Sequence, residues 1–317
     1  MIASRRLLSD AGTAFATNTM TSLAIASPES ANVRRGILWM LVTTIFFVSL
    51  DATAKYLTRS LPAIEIVWGR YLFHTIYAVI WAGTRLPSVM SHARYGMQFL
   101  RGLFLVLTTA IYFVALRTMP LAAGTSIMFL SPILVTALSV PLLREQVGIR
   151  RWIGVAVGFA GAVIIVRPGV GVIQTSALLA VLAAAINALY QITTRVLART
   201  DRPMTTNTMS AFVGAIAATI GLPFVWVTPD LEGWALMAFA GLCGVIGHYC
   251  MIRSLAEAPA AAVAPFTYVG LIWSTGYGFL LWGDLPDFWT IVGALVIIAS
   301  GLYIFYREQT KKRAPAG

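Results

Sequence analysis

The sequence predicts an all-α membrane protein of ten transmembrane helices, arranged as two inverted five-helix repeats with both termini cytoplasmic. Three features predict it: ten apolar stretches joined by short loops, basic residues crowded onto one set of those loops, and a repeat at a spacing of 139 residues. A helix needs about 20 mainly apolar residues to cross the hydrocarbon core. Candidate spans lie at 36–57, 63–83, 98–118, 120–143, 150–167, 175–196, 205–227, 232–254, 258–282 and 287–305. Composition agrees, with 58% hydrophobic and 11% charged residues against about 25% charged in a soluble domain. Mean hydropathy is +0.80.

A net charge of +11 would suit a nucleic-acid binder if the charges were scattered, but they are not. With the N-terminus inside, the cytoplasmic tails and loops collect most of the 23 Lys and Arg, and the external loops keep Arg59, Arg117 and Arg167. That asymmetry is the positive-inside pattern, so the basic balance reports topology and no nucleic-acid partner is expected. The expected partners are the lipid bilayer and a small-molecule substrate, in a bacterial inner membrane.

Residues 1–35 are polar, rich in small residues and lack the 7–15-residue apolar run of a signal peptide, so they read as a disordered cytoplasmic tail, with Met20 as an alternative start. Residues 306–317 read as a basic cytoplasmic tail. Cys243 and Cys250, seven apart on one helix, sit about 10 Å apart at 1.5 Å per residue, too far for a disulfide. They read as small packing residues. No metal-ligand spacing appears and no cofactor is expected.

The repeat divides the chain at 36–167 and 168–305. In one ungapped frame Gly102 falls on Gly241, Pro120 on Pro259, Glu145 on Asp284 and Gly154 on Gly293. Five helices per half is an odd number, so the second half enters the membrane from the opposite side. The loop holding Glu145 carries Arg144, Arg150 and Arg151, whereas its counterpart holds Asp284 and Asp287 without Lys or Arg. Inverted repeats are common in secondary transporters, with the site near the midplane between the halves.

The run SPILVTALSVPLLREQVGIRRWIGVAVGFAGAVIIV, its second copy and the ten-helix length resemble the drug/metabolite transporter superfamily, specifically its EamA type. The resemblance covers residues 36–305. It implies ten helices, a central cavity and ATP-independent transport of small organic solutes. The second copy departs from the first at Leu271, where Pro132 stands in the first, and at Asp284, which replaces Glu145.

Ionisable groups inside a span cost several kcal/mol unless paired or hydrated. The first span holds Asp51 and Lys55 on one face, and the second holds Glu65, Arg70 and His74. Counting from the span centres puts Asp51 about 7 Å and Arg70 about 4–5 Å outside the midplane. The two are therefore expected to meet between the first two helices, as a structural ion pair or as a group that gates or binds an anion. His74 reads as a hydrogen-bonding or proton-carrying ring, or as packing. Lys55 and Glu65 read as a solvated rim.

Asn187 and Gln191 on the sixth span offer amides to a cavity wall or to a neighbouring helix. Pro132, after Ser131, and Pro265 break the fourth and ninth spans, because a mid-helix proline frees a carbonyl. Freed backbone groups survive at membrane depth where protein or a watery cavity satisfies them. The site is thus expected along Ser126–Pro132 and Pro265–Trp273, with Tyr268 and Trp273 supplying rings for a flat or cationic solute. Gly154, Gly158, Gly161, Gly293 and Gly301 allow close helix approach; the resemblance implies a homodimer contact there, and packing within one chain explains the spacing equally.

No nucleotide-binding loop and no zinc-protease motif occurs, so neither an ATP-driven pump nor an enzyme is expected. The function expected is secondary active or facilitative transport of a small organic metabolite. The leading substrate is a flat heterocycle of vitamin or nucleoside type such as riboflavin. The alternative is export of an amino-acid-like zwitterion, including solutes related to S-adenosylmethionine or to opines. A non-transporting sensor or scaffold is the distant alternative.

Overall fold

The computed structural model describes residues 28–91, 94–144, 148–167, 173–197, 200–258 and 260–313. Glu145, Pro259 and the tail before residue 28 lie outside them. Helices are the only regular elements among the described residues, which contain no strand. In chain order the helices are α1 (Pro28–Leu57), α2 (Ala63–Ala82), α3 (Leu86–Ser91), α4 (Tyr95–Leu116), α5 (Leu121–Met128), α6 (Ser131–Leu143), α7 (Ile149–Val166), α8 (Ile173–Leu197), α9 (Pro203–Gly221), α10 (Leu231–Glu257), α11 (Ala260–Thr267), α12 (Gly270–Trp282) and α13 (Phe288–Arg313). Eight helices among the described residues are long and apolar enough to cross a membrane, the α5–α6 pair counting as one. α2 and the α11–α12 pair are not among the eight. For α2 the cause is visible in its sequence, since Glu65, Arg70 and His74 dilute its apolar residues.

α1 begins at Pro28, eight residues before the first predicted span. The packing then follows the repeat. α1 lies along α10, and its counterpart α8 lies along α4. α2 packs on α10 as α9 packs on α4, while α2 meets α9 and α7 meets α13 about the axis relating the halves. The glycines make this closeness available. A Cβ on Gly161 would stand 2.9 Å from the Gly293 carbonyl oxygen, and one on Gly158 would clash with Ile133 Cδ1. Ser300 donates to the Gly154 carbonyl at 2.6 Å. These small residues are engaged inside one chain.

Both broken helices break at the same place in the repeat. α5 stops at Met128 and α6 starts at Ser131; α11 stops at Thr267 and α12 starts at Gly270, which is Ser131 plus 139. Pro132 therefore opens a new helix instead of kinking one, and Pro265 lies inside α11 ahead of its break. The later caps also correspond. Arg144 ends α6 in the left-handed region at φ 55°, and Gly283 ends α12 there at φ 70°. α5 packs on α12 at the end where Lys55 lies, and no comparable contact joins α6 to α11 at the opposite end among the described residues.

Candidate functional site

One face of α1 carries Thr44, Val48, Asp51 and Lys55, spaced four, three and four residues apart, which keeps them within a narrow stripe at 3.6 residues per turn. That stripe faces the second repeat. Trp273 of α12 donates its indole N–H to Thr44 Oγ1 at 3.2 Å, and Gly270 lies against Val48. One turn along α12, the Tyr277 hydroxyl meets Ser49 Oγ at 2.9 Å. At the two breaks, Phe129 and Tyr268, themselves 139 apart, pack edge to face with centroids 4.9 Å apart. The predicted wall residues Tyr268 and Trp273 thus stand along one seam with α1.

Asp51 keeps partial exposure although protein surrounds it, so it borders internal space. It lies within electrostatic reach of Arg70 and Tyr112. The predicted contact with Arg70 does not form: Arg70 donates to Thr109 Oγ1 at 2.8 Å and stacks on Tyr71 at 4.7 Å. The Arg70 Nε is buried without a hydrogen-bond partner among the described residues. The reason is packing, since α1 spends its length on α10 and touches α2 little. His74 is 1% exposed and lies beside Gly244, whose absent side chain leaves room for the ring and for Arg70. Its ring stacks on Tyr71 at 6.5 Å and lies 6.0 Å from the ring of His248.

Ser131 and Asn187 come together. The Asn187 amide donates to Ser131 Oγ at 3.1 Å, and that hydroxyl donates to the Ala184 carbonyl at 2.8 Å. This polar joint ties α6 to α8 where the other half places Gly270 against Val48. Gln191, one turn further, is half-buried. Arg101, near the start of α4, holds α4, α8 and α9 together. It donates to Thr194 Oγ1 at 2.7 Å, to the Thr206 carbonyl at 3.1 Å, to the Tyr190 hydroxyl at 2.8 Å and to Ser210. Its partners are single hydroxyl and carbonyl groups on distant parts of the chain, so nothing local in the sequence signals that convergence.

Lys55 and Glu65 are not a solvated rim, for they are 8% and 0% exposed. Glu65 accepts from the Val227 backbone N–H at 3.1 Å. Lys55 donates to the Met119 carbonyl at 2.7 Å and to Asp284 Oδ2 at 3.3 Å, under a recess of about 490 Å³ that Arg59, Arg117 and Trp282 also line. Near the opposite end of the bundle, Asp201 in the α8–α9 loop accepts from Gln98 Nε2 at 2.7 Å, from the Arg94 N–H at 3.1 Å and from Thr200 at 2.8 Å. Burial alone would raise its carboxyl, and these bonds outweigh it, so the group sits below the ordinary 3.8. A carboxyl lowered by folding stabilises above its unfolded value and loses that stability as pH falls through its folded one. Melting scans from pH 6 to pH 3 are therefore expected to show an acid-dependent loss that shrinks in Asp201→Asn. No group of three or more His, Cys, Asp or Glu side chains suited to a metal occurs among the described residues.

Comparison with known proteins places this architecture. The S-adenosylmethionine uptake transporter of Rickettsia bellii is 27% identical over 274 residues, covering 86% of this chain and 94% of its own. The riboflavin transporter of Rhizobium johnstonii is 29% identical over 300 residues, covering 93% and 98%. A pseudopaline exporter of Pseudomonas aeruginosa is 27% identical over 286 residues, covering 88% and 98%. A solved structure titled only as the crystal structure of a protein shares the fold at a TM-score of 0.61 and 19% identity, over 88% of this chain and 99% of that one. The EamA-like transporter family matches residues 34–167 and again 174–306, one copy per half. The chain belongs to the EamA-like transporter family and is a multi-pass protein of the bacterial inner membrane.

Proposed function

We propose that the seam along α1 is the transport site and that its solute carries a flat heterocycle. The observation that supports this reading is the pairing of Phe129 with Tyr268 at the two symmetry-related helix breaks, with Trp273 one turn beyond. Half-buried rings at such a place offer a face to a planar solute. In this reading the α11–α12 pair and α2 join the eight apolar helices as spans, giving ten. The termini lie in the cytoplasm, the two repeats occupy 36–167 and 168–305, and the Lys55 end is external. The close packing of α5 on α12 then shuts the outside, and the α6–α11 end faces the cytoplasm.

A specific observation favours a second solute class. Asp51 and Arg70 are opposite charges held apart, and neither has an ion-pair partner within 4.0 Å among the described residues. A zwitterion spanning them would satisfy both. The relatives transport solutes of both kinds by name: riboflavin is a flat vitamin, and S-adenosylmethionine joins an adenine ring to an amino acid. Counterflow in proteoliposomes tests the reading. Riboflavin or S-adenosylmethionine is expected to exchange in wild type and to slow by roughly 5- to 150-fold in Tyr268→Ala, given about 1–3 kcal/mol per stacked ring. Equal rates in empty liposomes would reject it.

A further inference from the structure

Lys55 joins the two repeats at the closed end of the seam. Its ammonium holds the carbonyl of Met119, just before α5, and the carboxylate of Asp284, just after α12. Trp282, the last residue of α12, lies 4.9 Å beneath it. These contacts fasten the outer halves of both broken helices to the end of α1, at the end where those helices meet. One turn deeper on the same stripe, Asp51 borders internal space and makes no ion pair within 4.0 Å among the described residues. A lone carboxylate at that depth is costly, so the site is built for a cation.

Asp284 holds the ammonium, and Asp51 stands one helical turn before Lys55 on the same face of α1. Residues four apart on a helix are neighbours, and an acid preceding a base by four is the favoured order. The four-carbon lysine stem turns by its own bonds, without any backbone shift. We propose that Lys55 is a two-position switch, paired with Asp284 when the external end is shut and with Asp51 when it is open. A cationic group on the solute takes Asp51, frees Lys55 for Asp284 and so closes the entrance behind it. The inference rests on the transport reading and its orientation, and within that reading it favours a solute with a cationic centre. A neutral ring leaves Lys55 shared between the two carboxylates, so it is carried more slowly.

A labelling experiment tests the switch without any transported solute. Cys243 and Cys250 are replaced by alanine, Ser49→Cys reports from the contact of α1 with Tyr277 on α12, and a membrane-impermeant maleimide is added from outside. Asp284→Asn is expected to speed labelling several-fold, and Asp51→Asn to slow it several-fold. Both changes vanish in a Lys55→Met background. A second design guards against loss of folding: Lys55→Glu with Asp284→Lys is expected to keep the slow, closed rate and to ignore Asp51→Asn, with melting temperatures checked for each variant. Shifts in the same direction for the two asparagines, or shifts that persist without Lys55, overturn the switch. Fast labelling of the reversed pair overturns it too. Flux that fails while the labelling pattern holds counts against the transport reading and leaves the switch standing.

Discussion

Asp51→Asn is expected to cut transport of a cationic, amino-acid-bearing nucleoside by an order of magnitude or more, and to change transport of neutral riboflavin by no more than a few-fold. The carboxylate borders the seam with no ion pair among the described residues, so its loss is felt by whatever charge it receives. A charged hydrogen bond contributes about 1.5–3 kcal/mol, which corresponds to roughly ten- to hundredfold. Arg70→Ala is expected to affect a solute carboxylate in the same way. It also strips Thr109 of its donor and Tyr71 of its cation, so its melting temperature falls as well. Counterflow of the two solutes through each variant checks this. Equal losses for both solutes in both variants would make the charges structural.

Gly241→Val is expected to produce the largest loss of stability. A Cβ there would stand 2.6 Å from Phe73 Cβ, 2.9 Å from the His74 amide nitrogen and 3.0 Å from the Arg70 carbonyl oxygen. Two of these are backbone and cannot turn aside, so α10 must back away from α2. Overpacking of this kind costs about 1–3 kcal/mol, and it also displaces Arg70 and His74. Gly276→Val is the matched control, because nothing lies within 4 Å of a Cβ there. Melting of the two purified variants should differ by several degrees, with Gly276→Val near wild type.

The helices and the twofold repeat were readable from the chain because both are written locally, as apolar run length and as spacing. The match of Gly102 to Gly241 even marked two real contacts, since Gly102 fits under Val213 as Gly241 fits under Phe73. Counting residues from a span centre gives depth, but it gives neither rotation nor neighbours. Asp51 and Arg70 were correctly placed inside the bundle and wrongly joined, since α1 pairs with α10 and not with α2. The same limit hid Arg101, whose partners come from α8 and α9. It also put Lys55 and Glu65 on a rim that the loops at 117–120 and 225–230 in fact cover. The second break was expected at Pro265, and it falls just after Thr267, at the register position that Ser131 marks in the first half.

Ligand-dependent melting of the purified protein tests the central claim most directly. A solute that binds the folded state raises the melting point with its concentration over Kd. The account predicts a rise with S-adenosylmethionine or riboflavin that disappears in Tyr268→Ala, and with S-adenosylmethionine also in Asp51→Asn. A rise that survives in both variants would place the site elsewhere than the seam along α1.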